Sequence, residues 1–158
     1  MKRLFSILFF TAFVVATLSA QVRPRAIGAR LGGGSLGSAE FSYQQATGEA
    51  NRIEIDLGWG GNRDWNRLNI VGIYHWVYNL DGGFNWYVGP GAALGLHAYQ
   101  SDPGYLNIAL GGQLGVEYDF TDRGTNLLVS LDVRPMWDFL GDNNGLGWGS
   151  SFGIRYLF

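Results

Sequence analysis

From residue 26 onward, apolar positions recur every second residue. One stretch sets Ile53, Ile55, Leu57 and Trp59 against Glu54, Asp56 and Gly58. A longer one sets Leu106, Ile108, Leu110, Leu114, Val116 and Tyr118 against Asn107, Ala109, Gly111, Gln113, Gly115 and Glu117. Leu127, Val129, Leu131 and Val133 alternate with Ser130, Asp132 and Arg134. At the end, Trp148, Phe152, Ile154, Tyr156 and Phe158 alternate with Gly149, Ser151, Gly153 and Arg155. Successive side chains of a strand point to opposite faces, so this period predicts strands with one apolar and one polar face. Noisier strands over 26–33, 36–44, 66–78 and 84–98 bring the count to eight. An even count lets an antiparallel sheet close with both termini on one side.

The connections set the expected registers. Thr47-Gly48-Glu49, Asp81-Gly82-Gly83 and Arg123-Gly124 are compact turn sequences in which Gly supplies positive φ. The segments 60–65, 99–103 and 137–145 are longer and rich in Asp, Asn and Gly, and a tight first hairpin falls around 32–35. Facing residues lie on the same side of a sheet. A three-residue loop closed by Leu80 and Phe84 meets that condition, with Gly83 in the left-handed bulge position. A two-residue loop at Arg123-Gly124 puts Asp132 opposite Gly115 and Arg134 opposite Gln113.

Alternation alone does not say which face points outward, since a soluble ligand-binding barrel shows the same period. The polar face carries mostly Gly, Ala, Ser and Asn with charges of both signs, which suits the crowded inside of a narrow eight-stranded barrel. On the apolar face, Trp59, Trp76, Tyr78, Phe84, Trp86, Tyr105, Tyr118, Phe120, Trp148 and Tyr156 fall toward strand ends, and aliphatics fill the middles. Trp and Tyr favour the membrane–water boundary, where one end of the ring is apolar and the other hydrogen-bonds. Trp59, Trp76, Tyr78, Trp86, Tyr105, Tyr118, Trp148 and Tyr156 are therefore expected to form aromatic girdles.

Residues 1–20 differ from the rest. Lys2 and Arg3 precede an apolar run broken only by Ser6 and Thr11, then small residues at Ala16, Thr17, Ser19 and Ala20. That layout predicts a secretory signal peptide over 1–20 and a barrel over 21–158. Without Lys2 and Arg3, nine basic residues face 13 acids, a net charge near −4, and no lysine remains. No basic face is left for nucleic acid. There is no cysteine, hence no disulfide, thiol chemistry or lipid-anchored cysteine.

The final strand, with Ile154, Tyr156 and Phe158 on one face, resembles the terminal assembly signal of bacterial outer-membrane proteins. With the signal peptide and the mature length, the chain resembles the small eight-stranded outer-membrane barrels, including the OmpX-like and OmpA-transmembrane-like proteins and the general outer-membrane β-barrel domain. The resemblance implies an all-β, eight-stranded antiparallel up-and-down transmembrane barrel in the outer membrane. The implied surroundings are outer-membrane lipids, lipopolysaccharide and the barrel assembly machinery, with the chain as a monomer. The short outer loops differ from the best-known members.

With the polar face inward, Arg30, Arg134 and Arg155 meet Glu40, Glu54, Asp56, Glu117 and Asp132. Buried charges are tolerated when paired, so these residues are expected to form a salt-bridged plug, the alternative being a polar path for ions or protons. His75 and His97 both read as inward, opposite Gly89 and Arg67, and about 25 Å apart at roughly 3.3 Å per residue. They cannot form one site. His97 with Asp102 is the remaining acid–base pair, but no nucleophile–base arrangement, metal spacing, phosphate loop or cofactor site appears. The expected role is non-enzymatic, structural or in surface interaction. Two alternatives stay open: a membrane-embedded lipid-modifying enzyme, and a soluble secreted barrel holding a small hydrophobic ligand.

Overall fold

A computed structural model describes residues 21–34, 39–61, 65–99, 105–140 and 145–158. Its strands are β1 (Arg25–Gly34), β2 (Ala39–Ala46), β3 (Asn51–Gly61), β4 (Trp65–Asp81), β5 (Phe84–Tyr99), β6 (Tyr105–Asp119), β7 (Leu127–Asp138) and β8 (Gly145–Leu157). Each pairs antiparallel with its sequence neighbours, and β1 pairs with β8 to close the barrel. The all-β, eight-stranded, up-and-down fold expected from the period is the fold observed. Residues 1–20, expected from the sequence to be a signal peptide, and Asp102 lie outside the described residues.

The two ends of the barrel differ. One carries both ends of the closed sheet and the connections 47–50, 82–83 and 120–126; it is called the turn end below. The other, where β1, β3, β5 and β7 end and β2, β4, β6 and β8 begin, is called the loop end.

The register of β4 on β5 matches the sequence reading along most of its length, with Trp65 opposite Tyr99, His97 opposite Arg67 and Asn79 opposite Asn85. Near the turn the ladder shifts, and Asp81 faces Phe84. The extra residue at this bulge moves the left-handed position forward, so Gly82 takes it, at φ 51°, instead of Gly83. Gly115 faces Asp132 as expected. The β6–β7 connection is longer than two residues, however. It contains a 3₁₀ turn at Thr121–Arg123 that ends on left-handed Gly124. The expected hairpin at 32–35 also needs correction. Gly32, Gly33 and Gly34 are strand residues opposite Ser151, Ser150 and Gly149 of β8. A glycine run reads as a turn, but here it fits a barrel wall that needs no side chains.

Two glycines show why the wall can curve so tightly. A Cβ on Gly28 would lie 2.0 Å from the Ile154 carbonyl oxygen, and one on Gly89 would lie 1.6 Å from that of Tyr74. Strands approach this closely only where there is no side chain. Pro90 and Pro135 sit inside β5 and β7 and have no N–H for the ladder. Beside them, the β4–β5 pairing skips from Ile73–Gly91 to Trp76–Val88, and the β6–β7 pairing skips from Gly111–Met136 to Leu114–Val133.

The barrel has inverted polarity. Its outer surface is an apolar belt that includes Leu31, Phe41, Ile55, Leu57, Leu94, Leu110 and Leu131, all exposed. Its inside buries Arg30, Glu54, Asp56, Arg155 and other polar groups. The interior is not wholly polar. Val71, Ile73, Ala93, Ala109 and Met136 cluster inside the β4–β7 wall, toward the loop end. Val77 and Tyr87 pack with Val22, and Ala26, Leu128 and Leu157 pack together near the turn end. Apolar side chains thus flank the buried charges.

Candidate functional site

The buried charges come from strands whose alternation aims them at the barrel axis. Even positions of β1, β2, β3 and β7 and odd positions of β6 and β8 point inward. Closure then brings together residues far apart in sequence. Arg30 pairs with the carboxylates of Glu40 and Asp132, reaches Asp56 at 3.0 Å, and lies 3.8 Å from Glu54. Arg134 donates to Asp56 at 2.5 Å, Glu54 at 3.3 Å, Glu40 at 3.4 Å and Gln113 at 3.0 Å. Arg155 donates to Glu54 at 2.9 Å and to the hydroxyls of Ser42 and Ser130 at 2.9 and 2.8 Å. Gln44 adds a donor to Glu54 at 2.5 Å.

Glu117 does not join this group through Arg134. Its partner is Arg52, which grips it in a fork at 3.0 and 2.7 Å. Arg52 was missing from the residues expected inside, although it shares the parity of Glu54 and Asp56 and the alternation could have placed it there. Its Nε donates to His75 Nδ1 at 3.2 Å, and its guanidinium lies 4.9 Å from the Tyr87 ring centroid. The Tyr87 hydroxyl donates to Asp132 at 3.1 Å, which links the Arg52–Glu117 pair to the Arg30 cluster. Tyr87 is fully buried, and it shares the inward parity expected of His97 although its neighbours Phe84 and Trp86 face outward, so the alternation could have placed it there as well.

This network resists opening. A buried charge is stable only when its partners replace water, and forked or charge-assisted hydrogen bonds do so most effectively. Removing one member strands the others. The arrangement offers little to chemistry: His75 Nδ1 accepts from a guanidinium, and its ring packs on Tyr87 with centroids 4.6 Å apart. Among the described residues, no group of three His, Cys, Asp or Glu side chains could hold a metal ion. Of the expected His97–Asp102 pair, the His97 side chain and Asp102 lie outside the described set.

The aromatic residues named from the sequence fall in two zones of the outer face. Trp59 and Trp148 are exposed toward the loop end. Trp76, Tyr78, Trp86, Tyr118 and Tyr156 lie toward the turn end, where Tyr78 and Trp86 stack at 4.6 Å. Tyr105 begins β6 at the loop end, and its side chain is outside the described set. Ile154, Tyr156 and Phe158 share the outer face at the end of the chain, and the Phe158 N–H donates to the Arg25 carbonyl at 3.0 Å.

Solved structures share this barrel. The N-terminal β-barrel domain of Pseudomonas aeruginosa OprF aligns with a TM-score of 0.66 at 16% identity, covering 85% of this chain and 96% of that one. Neisserial surface protein A (NspA) aligns at 0.61 and 17% identity, covering 85% and 94%. Ail, the attachment invasion locus protein of Yersinia pestis, aligns at 0.51 and 10% identity, covering 85% and 96%. At these identities the likeness is one of fold. No protein-family model and no curated protein matches the sequence.

Proposed function

We propose that this chain is an integral barrel of a Gram-negative outer membrane, exported by the signal segment 1–20, with a structural or surface-interaction role and no reaction of its own. One observation carries this reading: the large apolar side chains point out and the charges point in. A soluble ligand-binding barrel requires the reverse. A bilayer, in contrast, solvates an apolar belt, and a closed sheet leaves no unpaired edge within it. On this reading, Trp59, Trp76, Tyr78, Trp86, Tyr105, Tyr118, Trp148 and Tyr156 form the girdles at the two interfaces. Ile154, Tyr156 and Phe158 are read by the assembly machinery. The network of Arg30, Glu40, Glu54, Asp56, Glu117, Asp132, Arg134 and Arg155 fills the barrel of a monomer, and lipopolysaccharide surrounds its outer half.

Fractionation of expressing cells tests this. The chain should stay in the outer-membrane pellet through a urea wash. Recovery in the soluble periplasmic fraction would overturn the proposal. The filled interior predicts no steady conductance in planar bilayers, and stable open currents would show a polar path instead of a plug.

A further inference from the structure

We propose that the turn end of the barrel binds the phosphates of anionic phospholipids at Arg25 and Arg123, along the arc of wall from β6 through β8 and β1 to β2. This rests on the reading that the barrel spans a membrane, and it adds which lipid chemistry the rim selects.

The arginines at this end of the barrel fall into two groups. Those that face inward or across the mouth meet carboxylates: Arg52 meets Glu117, and Arg23 meets Asp119 at 3.4 Å. Arg25 and Arg123 have no carboxylate within salt-bridge distance among the described residues. Both are exposed, and both are held by uncharged neighbours. Arg25 begins β1 on the same outer face as Ile27 and Leu31. Its Nε donates to the side-chain carbonyl of Gln45 at 3.2 Å, and the Tyr43 hydroxyl donates to that same oxygen at 2.9 Å. The Gln45 amide thereby anchors the inner edge of the guanidinium and leaves its two terminal nitrogens free to donate. Arg123 ends the 3₁₀ turn and lies 5.0 Å from the ring centroid of Tyr118, which belongs to the outer face of β6.

The neighbouring acids do not neutralise these two cations. Asp119 and Asp122 line a polar cavity of about 410 Å³ in the barrel mouth, together with Arg23, Asn79 and Asn85. Asp119 is further engaged by the backbone N–H and hydroxyl of Thr121. Asp119 and Asp122 therefore face the mouth while two guanidinium groups without a carboxylate partner among the described residues face outward, beside tyrosines at the edge of an apolar belt. An anion supplied by the surroundings completes them. At the edge of a bilayer that anion is a headgroup phosphate, which matches the planar donor fork of arginine. The opposite arc of the same rim carries Trp76, Tyr78 and Trp86 instead of cations, so the selection is confined to one side of the barrel.

A basic side chain near an anionic bilayer surface contributes about fivefold in association. The test uses the full chain refolded into discs of equimolar phosphatidylglycerol and phosphatidylcholine, then released into mild detergent, with the retained lipids counted by native mass spectrometry. The wild type should retain phosphatidylglycerol over phosphatidylcholine by about fivefold or more. Arg25→Gln and Arg123→Gln should each reduce that ratio, and the double variant should bring it to about one. Arg23→Gln, which alters the mouth and not the rim, should leave it unchanged. A wild-type ratio near one, a double variant that keeps the preference, or an equal loss in Arg23→Gln would each overturn the proposal. Failure of the wild type to enter any bilayer would instead overturn the membrane reading beneath it.

Discussion

Arg30 is the residue on which the buried network turns, and Arg30→Met is the perturbation that exposes it. The substitution keeps an unbranched apolar stem and deletes the guanidinium. Arg30 is fully buried and faces four carboxylates, from Glu40, Asp56, Asp132 and Glu54. Arg134 and Arg155 would still serve Glu54, and Arg134 would still serve Glu40 and Asp56. Among the described residues, Asp132 would keep only the Tyr87 hydroxyl. Breaking a buried ion pair from one side costs about 3–5 kcal/mol, because the remaining charge has neither water nor a partner. At roughly 2 kcal/mol per molar urea, that lowers the unfolding midpoint by about 2 M. The assay is urea unfolding from lipid vesicles, followed by tryptophan fluorescence. Adding Asp132→Asn removes the stranded charge, so the double variant should recover about 1–3 kcal/mol relative to additivity, as expected for residues in one network. A single variant within about 0.5 kcal/mol of wild type, the size of an ordinary surface substitution, would refute the reasoning. So would strict additivity.

Other positions separate the two faces and test the wall. Leu110→Arg puts a charge in mid-strand on the apolar outer face, where it costs about 2–4 kcal/mol at the midplane of a bilayer; membrane levels should fall, and normal levels would count against the assignment of faces. Gly89→Ala drives a methyl group into the Tyr74 carbonyl, whereas Gly72→Ala meets nothing within 4 Å. The first should unfold at clearly lower urea than wild type and the second should match it, and equal behaviour would remove the role given to close strand approach. Arg52→Gln strands buried Glu117 and should cost about 3 kcal/mol or more in the same unfolding assay; a neutral result would mean that the pair is solvated.

The sequence made the period legible where one face of a strand is purely apolar, as in β3 and β6. It was less legible in β4. There Ile70, Val71 and Ile73 are apolar on both faces, because the wall meets the outer belt on one side and the inner Val71–Met136 cluster on the other. Registers could be read because parity forbids a one-residue slip. That logic placed Asp132 opposite Gly115 and His97 opposite Arg67. It could not foresee the bulge beside Leu80, which depends on local turn geometry, nor the continuation of β1 through Gly34 in place of a hairpin at 32–35, since the pairing of that stretch with β8 exists only after closure. The charges that share the interior were legible from parity. Their partners were not, since which arginine reaches which carboxylate across a closed barrel depends on stagger. Hence Glu117 was grouped with Arg30, Arg134 and Arg155, while Arg52 holds it.

The central claim is that the apolar face of every strand meets lipid. The absence of cysteine makes β6 a clean place to measure it. Single cysteines at 106, 108, 109, 110, 113, 114, 115 and 116, each carrying a nitroxide, would be examined in vesicles for collision with oxygen and with a water-soluble nickel complex. The account predicts high oxygen collision at 106, 108, 110, 114 and 116, low collision at 109, 113 and 115, and low nickel access to all but the strand ends. Loss of the two-residue period, or high oxygen collision at 109, 113 and 115, would contradict it.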